Sequence, residues 1–191
     1  MAIFLVVHTR YADVQFSIVK QYQMLEYSII SSKTENNKLI SKNFIKIIEN
    51  LLKESSLNFK DLDFIVAHTG PAPFTTLRSC LASINGLAFA THKPLIGVNG
   101  IEALINQYSH KENIIALLNA FANDVYYGIK KENSTFIEIG YDNVTQFLEK
   151  ELSSAKDLRE QMAAQLKETE AKIKDLEAKL SAASTVKRSW P

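Results

Sequence analysis

Cysteine is nearly absent from this chain of 191 residues, Cys80 being the only one. That excludes an intramolecular disulfide framework and a cysteine-based zinc cluster, and it fits a reducing compartment. No charge of one sign dominates, since 22 Lys and Arg stand against 21 Asp and Glu for a formal charge of +1. Without a net field to draw the chain to nucleic acid or an anionic membrane, any RNA contact must be local or borrowed from a partner. Long hydrophobic runs are missing too, and the longest stretches are too short to span a bilayer. The opening run Met1 to His8 lacks the basic leader and small-residue cleavage site of a signal peptide and reads as a buried first strand. The expected location is the cytoplasm.

Glycine and proline are scarce, and they and the aromatics are unevenly spread. All six glycines and three of the four prolines fall in residues 1–149, and beyond Phe147 no aromatic appears until Trp190. With 46% apolar and 23% charged residues overall, the chain reads as one α/β domain over 1–149 and a charged helical appendage over 150–191. In the first part Phe4 to Val7, Asp13 to Val19 and Gln21 to Ile30 read as a three-strand meander. From Asn36 to Ser55 the apolar residues Leu39, Ile40, Phe44, Ile47, Ile48, Leu51 and Leu52 recur every three or four positions, the inner stripe of an amphipathic helix.

Asp61 to His68 reads as a strand, and Thr69-Gly70-Pro71-Ala72-Pro73 must break it, because two prolines so close continue neither a central strand nor a helix interior. Phe74 to Ala90 then has helical spacing, with Gly86 costing about 1 kcal/mol of helicity relative to alanine. Pro94 to Val98 is a short buried strand. Asn99 or Gly100 caps a helix over Ile101 to Gln107, and Asn113 to Phe121, Asp124 to Lys130 and Ser134 to Ile139 suggest a second meander. The order predicts a mixed sheet with flanking helices.

That order resembles the ribonuclease-H-like half of the actin, sugar kinase and Hsp70 superfamily. A more specific likeness lies in Gly70-Pro71-Ala72-Pro73-Phe74-Thr75-Thr76-Leu77-Arg78, then Leu81 to Ala90, then Pro94-Leu95-Ile96-Gly97-Val98-Asn99-Gly100-Ile101-Glu102-Ala103-Leu104. These blocks resemble, in order, the loop GPGSFTGLR, the apolar helix ending in GLA and the segment PLIGVSSLEAL of the TsaB (YeaZ) family. The resemblance covers roughly residues 1–149, Leu117 to Tyr127 included. Its proteins are subunits of the machinery that makes threonylcarbamoyladenosine in tRNA. The resemblance implies a noncatalytic platform without cofactor, bound to a TsaD-like transferase and through it to a TsaE-like ATPase, touching tRNA only indirectly. A homodimer is a further expectation.

Within the likeness, the helices carrying the Leu39 to Leu52 stripe and the Phe74 to Ala90 segment form the association surface, with Ile47, Leu51, Ile84 and Leu87 as candidate positions. The signature loop contributes Gly70, Pro71, Phe74, Thr75 and Arg78. The departures are pointed. Where the family's first strand ends in Asp-Thr-Ser, this chain has His8-Thr9-Arg10, and Ala72, Pro73 and Thr76 replace a glycine, a serine and a glycine. Proline has no amide proton to offer a phosphate. An alternative of another class is a small ATPase or peptidase of the same fold. A third is a structural adaptor that works through the tail helix.

The bland explanations stand beside these. Cys80 lies in an apolar helix with no histidine at helical spacing, and so reads as packing rather than a nucleophile. His8, His68, His92 and His110 are too scattered for a zinc set, and no metal is expected. His8 and His68 end strands that should be neighbours, so they share a crevice or are simply polar strand ends. Arg78 sits near a helix start, where a cation gains nothing from the macrodipole. It therefore calls for a carboxylate or carbonyl partner, as a tie for the loop or a ligand contact. Thr75 reads as an ordinary helix-start residue.

Lys150 to Ala182 holds seven basic and seven acidic residues with neither Gly nor Pro, the composition of one long helix. Met162, Leu166, Ile173, Leu176 and Leu180 follow a near-heptad seam with Thr169 at a core position, and Glu168/Lys172, Glu170/Lys174 and Asp175/Lys179 are favourable i,i+4 pairs. The tail is expected to oligomerise or bind a partner, or else to dock on its own domain. It does not resemble the family's remaining lobe, which implies a shortened second lobe, a fusion or a substitute helix.

Overall fold

Alternation decides the first strand. In β1 (Ala2–Thr9) Leu5, Val7 and Thr9 are buried on one face, while Phe4, Val6 and His8 point to the other. The computed structural model describes residues 1–24, 26–108 and 113–186, the side chains of 38, 39, 41 and 175–186 excepted. His110, Trp190 and the side chains of Leu39, Leu176 and Leu180 therefore lie outside the described residues. After β1 come β2 (Asp13–Gln23), β3 (Glu26–Asn36), α1 (Asn37–Glu54), β4 (Phe64–His68), α2 (Phe74–Thr91), β5 (Leu95–Val98) and α3 (Gly100–Gln107). They are followed by β6 (Ile114–Phe121), β7 (Asp124–Lys130), β8 (Ile137–Asn143) and α4 (Val144–Val186).

Five strands form one sheet in the order β3-β2-β1-β4-β5, and β6-β7-β8 form a second. β1 runs antiparallel to β2 and parallel to β4, and β4 parallel to β5, which is the mixed, ribonuclease-H-like arrangement the element order predicts. The third strand differs from its expected span. Pairing of Asp13 with Asn36 through Gln23 with Glu26 extends β2 to Gln23 and carries β3 to Asn36. β3 is an edge strand with a mostly exposed, polar second half, so no apolar alternation marks it. β4 starts three residues later than expected, because Asn58 and Asp61 form a capping box that closes a 3-10 turn over Phe59–Asp61.

The core lies on the Leu5/Val7 face. There Val14, Phe16 and Ile18 of β2 and Ile65 and Ala67 of β4 meet Phe44, Ile48 and Leu51 of α1 and Cys80, Ile84 and Leu87 of α2. Phe16 and Phe44 pack edge to face with ring centroids 5.2 Å apart. Each large side chain buried here contributes about 1.5–3 kcal/mol before entropic losses. A smaller cluster joins Ile101 and Ile105 of α3 to Ala116 of β6, with Leu118, Tyr126 and Ile137 packed against it.

By contacts the chain falls into two units, one of Met1–Ala120 with Val125–Tyr141, the other of Phe121–Asp124 with the chain from Asp142 onward. In the second unit α4 begins at Val144 rather than Lys150, since Asn143 Oδ1 accepts the Thr145 N–H at 3.1 Å and opens the helix early. Among the described residues no helix is long and apolar enough to cross a membrane.

Candidate functional site

Three parallel strands end side by side, β1 at Thr9, β4 at His68 and β5 at Val98. Crevices outside the carboxyl ends of such strands are where open α/β sheets take ligands. A cavity of about 350 Å³ lies here, lined by Val6, His8, Val66, His68 and Val98 of the strands and by Gly100, Leu104 and Gln107 of α3. His8 and His68 are brought together in it, their rings meeting edge to face with centroids 4.9 Å apart. A Cβ on Gly100 would collide with His68 Nε2, so glycine here is what lets α3 approach the imidazole.

Both imidazoles are held below their usual pKa. Burial comes first for His68, then the neighbouring His8, and together they bring it to about 4. The backbone of Thr9 and Gly70 pulls the other way, though neither reaches His68 Nδ1 in hydrogen-bond geometry. For His8, burial and then Arg10 lower the value, against Asp13. The two imidazoles are therefore uncharged at neutral pH, and among the described residues no cation lines the crevice. Asp13, the acid of the turn after β1, is held by Arg10 at 2.7 Å.

The depressed His68 carries a stability consequence with a definite sign. Between pH 6.5 and about 4 the unfolded chain binds a proton that the folded chain refuses, so stability rises with pH across that window and falls on acidification. The loss is on the order of 1–2 kcal/mol once solvent screening of the partly exposed ring is allowed for. Thermal melts from pH 7.5 to 4.5 should show it. In His68→Gln the slope should be shallower, and an unchanged slope would remove His68 from the account.

The signature loop leads from β4 into α2. Gly70, at φ +115°, is the loop residue whose conformation requires glycine, and its carbonyl accepts the Gly100 N–H at 2.8 Å. Ala72 and Thr76 are absent from the positive-φ positions, so replacing glycine there costs no strain. Pro71 and Pro73 bracket the turn, and Pro73 is the N-cap of α2 without a side-chain cap. Thr75 is an exposed residue of the first helical turn. Arg78 corrects the sequence reading: among the described residues its guanidinium lies over the Phe74 ring, 3.8 Å from the centroid, rather than against a carboxylate or carbonyl. The two are one helical turn apart, a spacing that makes the cation–π contact local.

Cys80 is buried, and burial pushes its thiol up while the Thr9 side chain beside it pulls the other way. That is the setting of a packing residue. Among the described residues no three His, Cys, Asp or Glu side chains gather as a metal set.

The candidate interface positions need a correction. Ile47, Leu51, Ile84 and Leu87 are exposed by only 7%, 1%, 1% and 8% and belong to the core cluster. They face the sheet, because the stripe that identifies an amphipathic helix is the stripe it buries. The outward face of α2 carries instead Phe74 at 66% and Phe89 at 83% exposure, with Arg78, Ala82 and Asn85 between them, and α1 exposes Ile45. Sequence reasoning missed this face because α2 is apolar on both sides and its periodicity is weak. The separation of Phe74 and Phe89 by fifteen residues, about 60° around the helix, is the signal that marks it. In the tail, Met162, Leu166 and Ile173 are more than half exposed.

A family model described as "TsaD: tRNA N6-adenosine threonylcarbamoyltransferase" matches residues 28–185. The chain is 28% identical over 102 residues to the tRNA threonylcarbamoyladenosine biosynthesis protein TsaB of Haemophilus influenzae, covering 50% of this chain and 43% of that protein. Its identity to TsaB of Buchnera aphidicola from Schizaphis graminum is also 28%, over 119 residues, or 59% of this chain and 55% of the relative. The chain thus spans about half the length of these curated relatives. The solved structure of YeaZ from Pseudomonas aeruginosa superposes with a TM-score of 0.55 at 21% identity, over 73% of this chain and 65% of that one, and shows the shared fold. On the match over residues 28–185 the chain belongs to the threonylcarbamoyltransferase family that the model describes, and it is similar to the TsaB relatives named above.

Proposed function

We infer that this chain is a noncatalytic platform in the machinery that makes threonylcarbamoyladenosine in tRNA, offering the outward face of α1 and α2 to a TsaD-type transferase. The observation that carries this is the exposed Phe74, Arg78 and Phe89 on a helix whose opposite side is fixed to the sheet. Aromatics and arginine on a rigid support are what protein interfaces use as anchors, whereas lone exposed apolar residues need no such reading. The strand-end crevice supports the noncatalytic half of the reading. It holds two neutral imidazoles, with His8 standing where the family's first strand has an acid, and a loop in which Pro73 withholds an amide. A TsaE-type ATPase joins through the transferase, and tRNA is reached through the partner rather than through a chain of net charge +1.

Mixing the chain with the TsaD-type transferase of the same cell and passing both over a sizing column tests the reading. The two should co-elute at micromolar concentration, and calorimetry of the chain alone with Mg-ATP should show no saturable heat. Separate elution, or stoichiometric nucleotide binding by this chain, would return it to the enzyme class.

A further inference from the structure

The seam of α4 is longer than an amphipathic stripe needs to be. Counted in heptads it places Leu148 at d, Leu152 at a, Met162 at d, Leu166 at a and Ile173 at a, an unbroken alternation of four- and three-residue steps with Ala155, Arg159 and Thr169 filling the remaining places. Those five apolar side chains are 53%, 57%, 62%, 61% and 51% exposed. Thr169 fits the seam because its hydroxyl donates to Gln165 O at 2.8 Å within the helix, leaving the methyl to pack. In sequence the same register continues through Leu176 and Leu180.

We propose that α4 pairs with α4 of a second copy of this chain as a parallel, in-register two-stranded coiled coil. The charges at the flanking positions argue for that occupant. In a parallel pair the g residue of one helix faces the e residue five places on in the other. In the sequence Glu151 is set against Lys156 and Lys172 against Glu177, both attractive, while Leu158 is set against Ala163 and Gln165 against Glu170, so no like charges oppose at the g and e positions. Arg159 at an a position meets its own copy, a polar layer that lowers stability and fixes register. This pairing is independent of the α1 and α2 face, and it gives each assembly two platforms.

Sedimentation of the full chain should give twice the 21.5 kDa of one chain at tens of micromolar. Leu166→Glu with Ile173→Glu should return it to a single chain without moving the melting of the α/β domain. Phe74→Glu with Phe89→Glu should leave this dimer intact, which separates it from the platform reading. Met162→Cys should give a covalent dimer on mild oxidation, because d residues face their own copies in a parallel pair and the native Cys80 is buried. A wild-type mass of one chain, a doubled mass indifferent to the seam variants, or a dimer in which Met162→Cys fails to link would each overturn the proposal.

Discussion

A glutamate at Leu51 or Ile84 is expected to unfold the domain, not to release a partner from a folded one. Both side chains are 1% exposed, in the cluster that joins α1 and α2 to the sheet. Truncating such a residue to alanine costs about 2–5 kcal/mol, and a carboxylate left unpaired in the same place adds its desolvation. Against a domain stability of roughly 5–15 kcal/mol, either substitution removes most or all of the margin. The measurement is a thermal or urea melt of each variant: loss of the cooperative transition, or a chain recovered only as aggregate, is the expected result. A variant that melts like wild type while losing an association would mean that these positions face outward.

The same two helices give the opposite outcome on their other side. Phe74→Glu with Phe89→Glu should leave the melt nearly unchanged, since surface substitutions usually fall within about 0.5 kcal/mol and the stack of Arg78 on Phe74 contributes about as much again. Affinity for the TsaD-type transferase should fall by about a hundredfold or more, the loss of two aromatic anchors at roughly 1.5 kcal/mol each or above. Calorimetric titration of the variant into the transferase reads it. An affinity within a few-fold of wild type, in a folded variant, would move the interface off α2.

Periodicity made most of the fold legible. The stripe of α1 and the alternation of β1 and β2 are consequences of burial on one side, and the two prolines after His68 left little choice about where β4 stops. Edges are harder: β3 pairs through Asn36 although its last residues are polar, because backbone hydrogen bonds to β2 hold an edge strand without an apolar face. Chemistry at the strand ends was half visible. That His8 and His68 end neighbouring strands follows from the order of elements, but their 4.9 Å contact and the cavity depend on Gly100, which only the fold brings to the imidazole. The four candidate interface positions are core residues because an apolar stripe says that something is buried without saying against what. In α1 and α2 the sheet takes it. Arg78 is expected from sequence to find a carboxylate or carbonyl partner, whereas its guanidinium lies over an aromatic ring one helical turn away.

The platform reading is tested most directly by following labelled threonine into the threonylcarbamoyladenosine of tRNA. The TsaD-type transferase and its remaining cellular components are supplied with and without this chain. Incorporation should depend on the wild-type chain, rise with its concentration to a plateau near one chain per transferase, and fall to background with Phe74→Glu/Phe89→Glu. Incorporation that is the same with no chain, with wild type and with the variant would contradict the reading.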